Sequence, residues 1–329
     1  MMKPNIFNVA TKELSQDGFF TWLLQWADPS NDNYNKELCD CAQDFVKKLI
    51  AKQIDYKTEI KKVKAGRQWK NIDIWAEVND EVLIIIEDKT FTGEHSNQLE
   101  TYKKTATEWC QEHNYKLVCI YLKTGSEALI SLDKITNKGF AVVDRPELIL
   151  FFNEHPLVKS DIYTDFIERL QSFEVLENSF KNLTIKEWHW NSWQGFYQFL
   201  QTKIDVTGWR YVANPAGGFL GLWWHFLEWK NYNVYLQIEQ GNLCFKIGEV
   251  YDNHSSVRNE CSSIIMKHAQ QKGNHEIVKP QRFGSGTYMT VAIIERKDWL
   301  GDDDSILDKG KVVDKLKEYE KFIDECVKE

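Results

Sequence analysis

The chain has 329 residues, 43% of them hydrophobic and 27% charged, with a formal net charge of −8. This is the balance of an ordinary soluble protein, long enough for one large domain or two, and its acidity argues against indiscriminate binding to nucleic acid while leaving room for a local basic face. No apolar run reaches the ~18–20 residues of a membrane-spanning helix, no apolar block of a secretory signal stands near the start, and the seven scattered cysteines (39, 41, 110, 119, 244, 261, 326) match neither a disulfide framework nor a zinc spacing, so we expect a cytoplasmic protein with reduced thiols.

Residues 10–27 predict a first helix, because Phe19, Phe20, Leu23, Leu24 and Trp26 give one wide apolar face. Glu13 near its start is a favourable charge for a helix N-terminus. Asp28 to Asn33 is a loop by composition. A second helix over 35–52 carries Leu38, Ala42, Phe45, Val46, Leu49 and Ile50 on its apolar face. Residues 54–64 alternate as a strand, with a turn at 65–68 around Gly66, and Glu59 is a possible further carboxylate. Residues 47–70 also gather nine Lys and Arg against Asp55 and Glu59. Such a run is either a solvated face or a basic approach to a site.

The centre of the chain is 69–104. In NIDIWAEV, Ile72, Ile74 and Ala76 fall on one face of a strand, with Asp73, Trp75 and Glu77 on the other. Asn79-Asp80 signals a hairpin. Val82 to Glu87 is a continuous apolar run ending in a carboxylate, as in a strand buried on both faces. It closes on Glu87-Asp88-Lys89, an expensive place for charge without a purpose. Glu87 and Lys89 point the same way, and a hairpin closed at 79–80 sets Asp73 near them. Two carboxylates and an ammonium in one pocket suit a hard divalent cation, Mg²⁺ or Mn²⁺, and a phosphoryl substrate. Asn97 with Glu100 reads as a capping box for a helix running to about 112, and 115–122 is the next strand, parallel to its predecessor.

These residues resemble a known signature. Asp73, followed by Glu87-Asp88-Lys89 at the end of the next strand, is similar to the PD-(D/E)XK nuclease motif, with Ile72 where the nominal Pro would stand. Gln98 and Tyr102 in QLETY resemble the Gln-x-x-x-Tyr element of the RecB-like branch, and the segment from Ile84 to Lys104 resembles an uncharacterised bacterial group of that superfamily. The resemblance covers about residues 10–125. It implies an α/β, restriction-endonuclease-like αβββαβ core, an order that the periodicities give independently. It also implies a metal-dependent nuclease acting on DNA, in bacterial defence. Asp73 and Glu87 would hold Mg²⁺ or Mn²⁺, joined by Glu13 on the first helix. Lys89 would position the attacking water, and Gln98 and Tyr102 would brace the site or touch phosphate.

Lys123-Thr124-Gly125-Ser126 lacks the upstream glycines of a phosphate loop. A strand at 139–144 and helices at 146–154 and 160–180 follow. Beyond about 182 the character changes. We expect an aromatic helix at 185–204, strands at 208–213, 219–229, 233–239, 242–248 and 288–295, and helices at 254–271 and 305–327. His189 among tryptophans reads as a packed histidine. Trp223, Trp224, His225 and Trp229 are candidates for base stacking, although alternating aromatics in a strand are ordinarily core. Ala216-Gly217-Gly218 reads as a turn. The domains are then 1–182, nuclease-like, and 183–329, an α+β lobe for recognition, dimerisation or regulation. The competing reading is a binding module that keeps the nuclease fold but barely cleaves.

Overall fold

A computed structural model describes residues 3–94, 97–214 and 217–328. Contacts divide the chain into two units, Met1–Glu127 with Ser131–Glu174, and Ala128–Ile130 with Val175–Glu329. Among the described residues no helix is long and apolar enough to cross a membrane, and all seven cysteines are free and buried.

The first unit opens with α1 (Glu13–Trp26) and α2 (Lys36–Ala51). Then come β1 (Val63–Trp69), β2 (Ile72–Val78), β3 (Val82–Lys89), α3 (Gln98–His113) and β4 (Lys116–Lys123). It continues through α4 (Leu129–Asn137), β5 (Ala141–Asp144), α5 (Arg145–Asn153) and α6 (Asp161–Asn178). The strands lie side by side in chain order, β1 to β5. The first three are antiparallel, and β3–β4 and β4–β5 are parallel. This is the restriction-endonuclease-like arrangement that the αβββαβ order predicts.

Two tight turns set the register. Asn79 and Asp80 both have positive φ, as do Lys70 and Asn71, which matches the right-handed twist of a two-residue hairpin. The first pairs Val78 with Val82 and Ile74 with Ile86. The second corrects the expectation of a strand at 54–64 and a turn at 65–68. β1 begins at Val63 and turns at 70–71. Gly66 lies inside the strand opposite Trp75, and a Cβ there would come within 2.8 Å of the indole. The glycine makes room for a cross-strand ring rather than bending the chain. The residues before β1 are held as a loop, with Asn79 Oδ1 accepting the Lys61 and Lys62 N–H groups.

β3 is buried along its whole length. Ile84 and Ile86 join Phe19, Phe20, Leu23, Phe45, Phe152 and Phe166 in a core on one side of the sheet. Leu83 and Ile85 join Leu99, Tyr102 and Ala106 of α3 on the other. The capping box expected at Asn97 does not form. Asn97 is the N-cap, but its side chain caps nothing, and Lys138 draws Glu100 away.

The second unit contains α7 (Trp190–Leu200), β6 (Val206–Val212), β7 (Phe219–Trp229), β8 (Tyr232–Glu239) and β9 (Asn242–Gly248). α8 (His254–Lys272), β10 (Met289–Ile294), α9 (Arg296–Trp299) and α10 (Lys309–Lys328) complete it. The sheet is an antiparallel meander ordered β10-β9-β8-β7-β6. The expected helix at 185–204 is shorter. Ile185–Glu187 is one 3-10 turn, and α7 starts at Trp190 with His189 as its cap, accepting from the Ser192 N–H. Trp224 and Trp229 are buried. Burial leaves neither Trp224 nor Trp229 an open face for stacking; Trp224 Nε1 donates to Glu320 at 2.8 Å, and the half-buried His225 has its Nε2 2.9 Å from Asp324 Oδ1. Of the expected turn at 216–218, Ala216 lies outside the described residues; Gly217 and Gly218 have positive φ.

Candidate active site

The end of β3 gathers the polar residues of the first unit. Continuing the β2–β3 register by one residue sets Asp73 opposite Glu87, and Asp73 Oδ2 accepts the Asp88 N–H at 3.3 Å. Lys89 Nζ lies 2.5 Å from Glu87 Oε1 and 3.6 Å from Asp73 Oδ2. Three of the expected site residues therefore converge. The Glu87 side chain is fully buried, and neither of its oxygens receives an aligned hydrogen bond. Burial first, and the charge of Asp73 second, push its carboxyl up to about 8 against the pull of Lys89. Burial works against the charge on Lys89, but Glu87, Asp73 and Glu13 outweigh it and hold the ammonium protonated.

Gln98 Nε2 donates to the Tyr102 hydroxyl at 2.8 Å. Tyr102, on the inner face of α3, is almost wholly buried. Burial, with the fields of Glu87 and Asp73, raises its pKa, so the phenol stays protonated beside the carboxylates.

Glu13 reaches the same strand end by another route. Its Oε1 accepts from the Thr90 N–H at 3.0 Å and the Thr92 hydroxyl at 2.9 Å. Burial raises its pKa, but these donors and Lys89 more than offset that, leaving it below the ordinary value. Glu13 thus grips the chain just after Lys89. Glu59 is exposed at the other end of the hairpin, where its carbonyl accepts from Asn79. Five of the nine cations of the basic run are ion-paired, Lys47 with Asp44, Lys48 and Lys52 with Glu147, Lys57 with Asp55 and Lys62 with Asp80, while Lys61, Lys64, Arg67 and Lys70 are exposed with no ion pair among the described residues.

A second layer was not anticipated. Asp88 points to the opposite face from its neighbours, into α1, and is fully buried. Gln16 Nε2 donates to its Oδ1 at 2.5 Å, and the Thr124 hydroxyl donates to Gln16 Oε1 at 2.7 Å. Burial and the nearby Asp17 push Asp88 well above the usual carboxylate range, and burial carries Asp17 up to about 6. Lys123 pairs in register with Lys89 and lies 3.3 Å from Glu127, its pKa lowered by burial. Glu13, Gln16 and Asp17 stand three and four apart on α1, so a helical-face reading of that segment would have exposed them together.

Five carboxyls thus surround the end of β3 against the Lys89 ammonium. No group of three or more His, Cys, Asp or Glu side chains among the described residues stands ready to hold an ion. The donor chemistry nevertheless fits a hard divalent cation. The ligands on offer are all carboxylate oxygens, and those of Glu87 are buried without a proton donor aligned on them.

An α/β sheet of this topology, with Asp on one strand and Glu-x-Lys closing the next, defines a restriction-endonuclease-like protein. The family model described as the PD-(D/E)XK nuclease superfamily matches residues 4–187. The chain belongs to that superfamily. No curated protein and no solved structure matches it.

Proposed function

We propose that this chain is a metal-dependent nuclease that hydrolyses phosphodiester bonds of DNA, with its active site at the end of β3. The observation that carries the reading is the convergence of Asp73, Glu87 and Lys89, with the buried oxygens of Glu87 lacking aligned donors. Asp73 and Glu87 would hold Mg²⁺ or Mn²⁺, with Glu13 the third carboxylate beside the strand end. A bound cation of this kind supplies a Lewis acid for the phosphoryl oxygen and lowers the pKa of water.

The chain's own groups do the rest. Lys89 donates to the attacking water or to negative charge growing on the phosphate. Tyr102, kept protonated and tied to Gln98, braces the carboxylates and presents a hydroxyl to substrate. The Gln98–Tyr102 pair fits the RecB-like branch. A role in defence against foreign DNA is in keeping with this chemistry.

Supercoiled plasmid, linear duplex and single-stranded DNA, each incubated with Mg²⁺ and with Mn²⁺, provide the test. Wild type should cut at least one form, and Asp73→Ala and Glu87→Gln should each lose at least ~10²-fold of that rate. Undiminished cutting by both variants would misplace the site. Tight binding of nucleic acid with no cutting under any condition would favour a binding module on a nuclease fold.

A further inference from the structure

The second unit contains a cleft that the nuclease reading does not use. It lies where the β8–β9 turn, the end of β10 and α9 meet, and it encloses about 710 Å³, within the usual range for ligand sites. Its outer wall is the segment after Ile277. Val278 is fastened to Ile293 by two backbone hydrogen bonds of 2.8 and 2.9 Å, which extends the sheet by one bridge before the chain leaves through Lys279 and Arg282.

The charges of this cleft do not cancel. Each of its carboxylates already has a cation. Glu239 is held by Lys246 at 3.0 Å, Glu295 by Lys297 at 3.0 Å and Asp303 by Arg296 at 2.5 Å. Lys279 and Arg282 also line the cleft, are exposed, and have no ion pair or hydrogen bond among the described residues. Two uncompensated cations over a concave polar floor favour an anion.

The neighbouring surface says which kind of anion. Lys246 links Glu239 to Thr290 on the floor, and Tyr235 pairs with Lys246 across the strands. Tyr235 stacks on Phe226, with centroids 4.4 Å apart and rings 8° from parallel. Tyr288, two residues before Thr290, is 57% exposed, and Phe226 is 42% exposed. A solvent-facing ring two residues from Thr290 of the cleft floor, with two unpaired cations in the lining of that cleft, is the combination that unpaired bases and their phosphates require.

We infer that this cleft binds single-stranded nucleic acid, with Lys279 and Arg282 on backbone phosphates and Tyr288 stacking a base. The choice of nucleic acid as the anion rests on the nuclease reading above. The second unit then supplies a strand-holding site separate from the end of β3.

The test is fluorescence anisotropy of a labelled single-stranded oligonucleotide and its duplex, titrated with the full chain in EDTA, where no cleavage interferes. Lys279→Glu with Arg282→Glu should weaken single-strand binding at least tenfold and flatten the slope of log K against log salt by about 1.4, the value for two lost contacts. Tyr288→Ala should cost about tenfold on the single strand and little on the duplex. Lys279→Arg with Arg282→Lys, which keeps both charges, should bind as wild type. The inference fails if the charge-reversed chain binds like wild type, if wild type does not bind, or if duplex is bound as well as single strand. Cleavage assays on the same variants separate the two readings. Metal-dependent cutting with unchanged binding would remove the cleft and leave the nuclease; charge-dependent binding without cutting in any metal would do the reverse.

Discussion

Asp88 stands between the two residues that carry the motif, and its side chain goes the other way. Alternation along β3 sends Glu87 and Lys89 to the α3 side and Asp88 to α1, where it meets Asp17 and Gln16. The Glu-x-Lys pattern was legible because it is local. The Asp17 partnership was not, because it joins positions 71 residues apart whose meeting depends on how α1 crosses the sheet. Both carboxyls have raised pKa values, so the folded protein holds protons that the unfolded chain would release. The stability this adds is full below the unfolded value, 3.8 for Asp17, and is lost as pH rises through about 6. Asp17→Asn cannot titrate. Its melting temperature, relative to wild type, should therefore climb by at least about 3 °C between pH 4 and pH 7. A difference that stays constant with pH in thermal melts would show that the pair holds no extra proton.

Glycines fix how the elements approach one another, and they were the least legible feature at this scale. Gly66 looked like a turn residue, yet it sits within β1 because the Trp75 ring needs its space. The turns themselves, Lys70-Asn71 and Asn79-Asp80, need two residues of positive φ, and only the second had an obvious sequence signal. Gly125 follows β4 and packs on the backbone after Lys89. A Cβ there would lie 2.0 Å from the Thr90 carbonyl oxygen, with no flexible side chain to yield. Gly125→Ala should cost about 1–3 kcal/mol in chemical denaturation and should slow cleavage, because the end of β3 must shift. Gly284→Ala, with nothing within 4 Å, is the matched control and should be near neutral. Equal stability of the two variants would disprove that contact. Elements with a strong period, β2 to β4 and the meander β7 to β9, were readable to within a residue or two. The strand expected at 54–64 was not, because alternation alone cannot tell a strand from a loop tied down by Asn79 and Asp28.

At the scale of the whole molecule, two cores divide the work. The first unit buries the β3 strand from both sides, up to its charged end. The second organises its own meander around Trp224, Phe245 and Trp299. Composition announced an acidic chain without saying where cations would remain free. Of the nine cations in the run at 47–70 that looked basic, five are paired, and Lys279 and Arg282, unremarkable in sequence, are not. A clustered charge run predicts its own neutralisation as readily as a binding face, and only the fold distinguishes them. In the proposed reaction Lys89 acts on the substrate beside a cation held by Asp73 and Glu87. The direct measurement is kcat for wild type and Lys89→Ala on the DNA form cut fastest in Mg²⁺, with Mn²⁺ affinity of both proteins determined by calorimetry. For Lys89→Ala kcat should fall at least ~10²-fold, with cation binding kept or tightened once the competing ammonium is gone. A Lys89→Ala chain that cuts at the wild-type rate with the same metal affinity would contradict it.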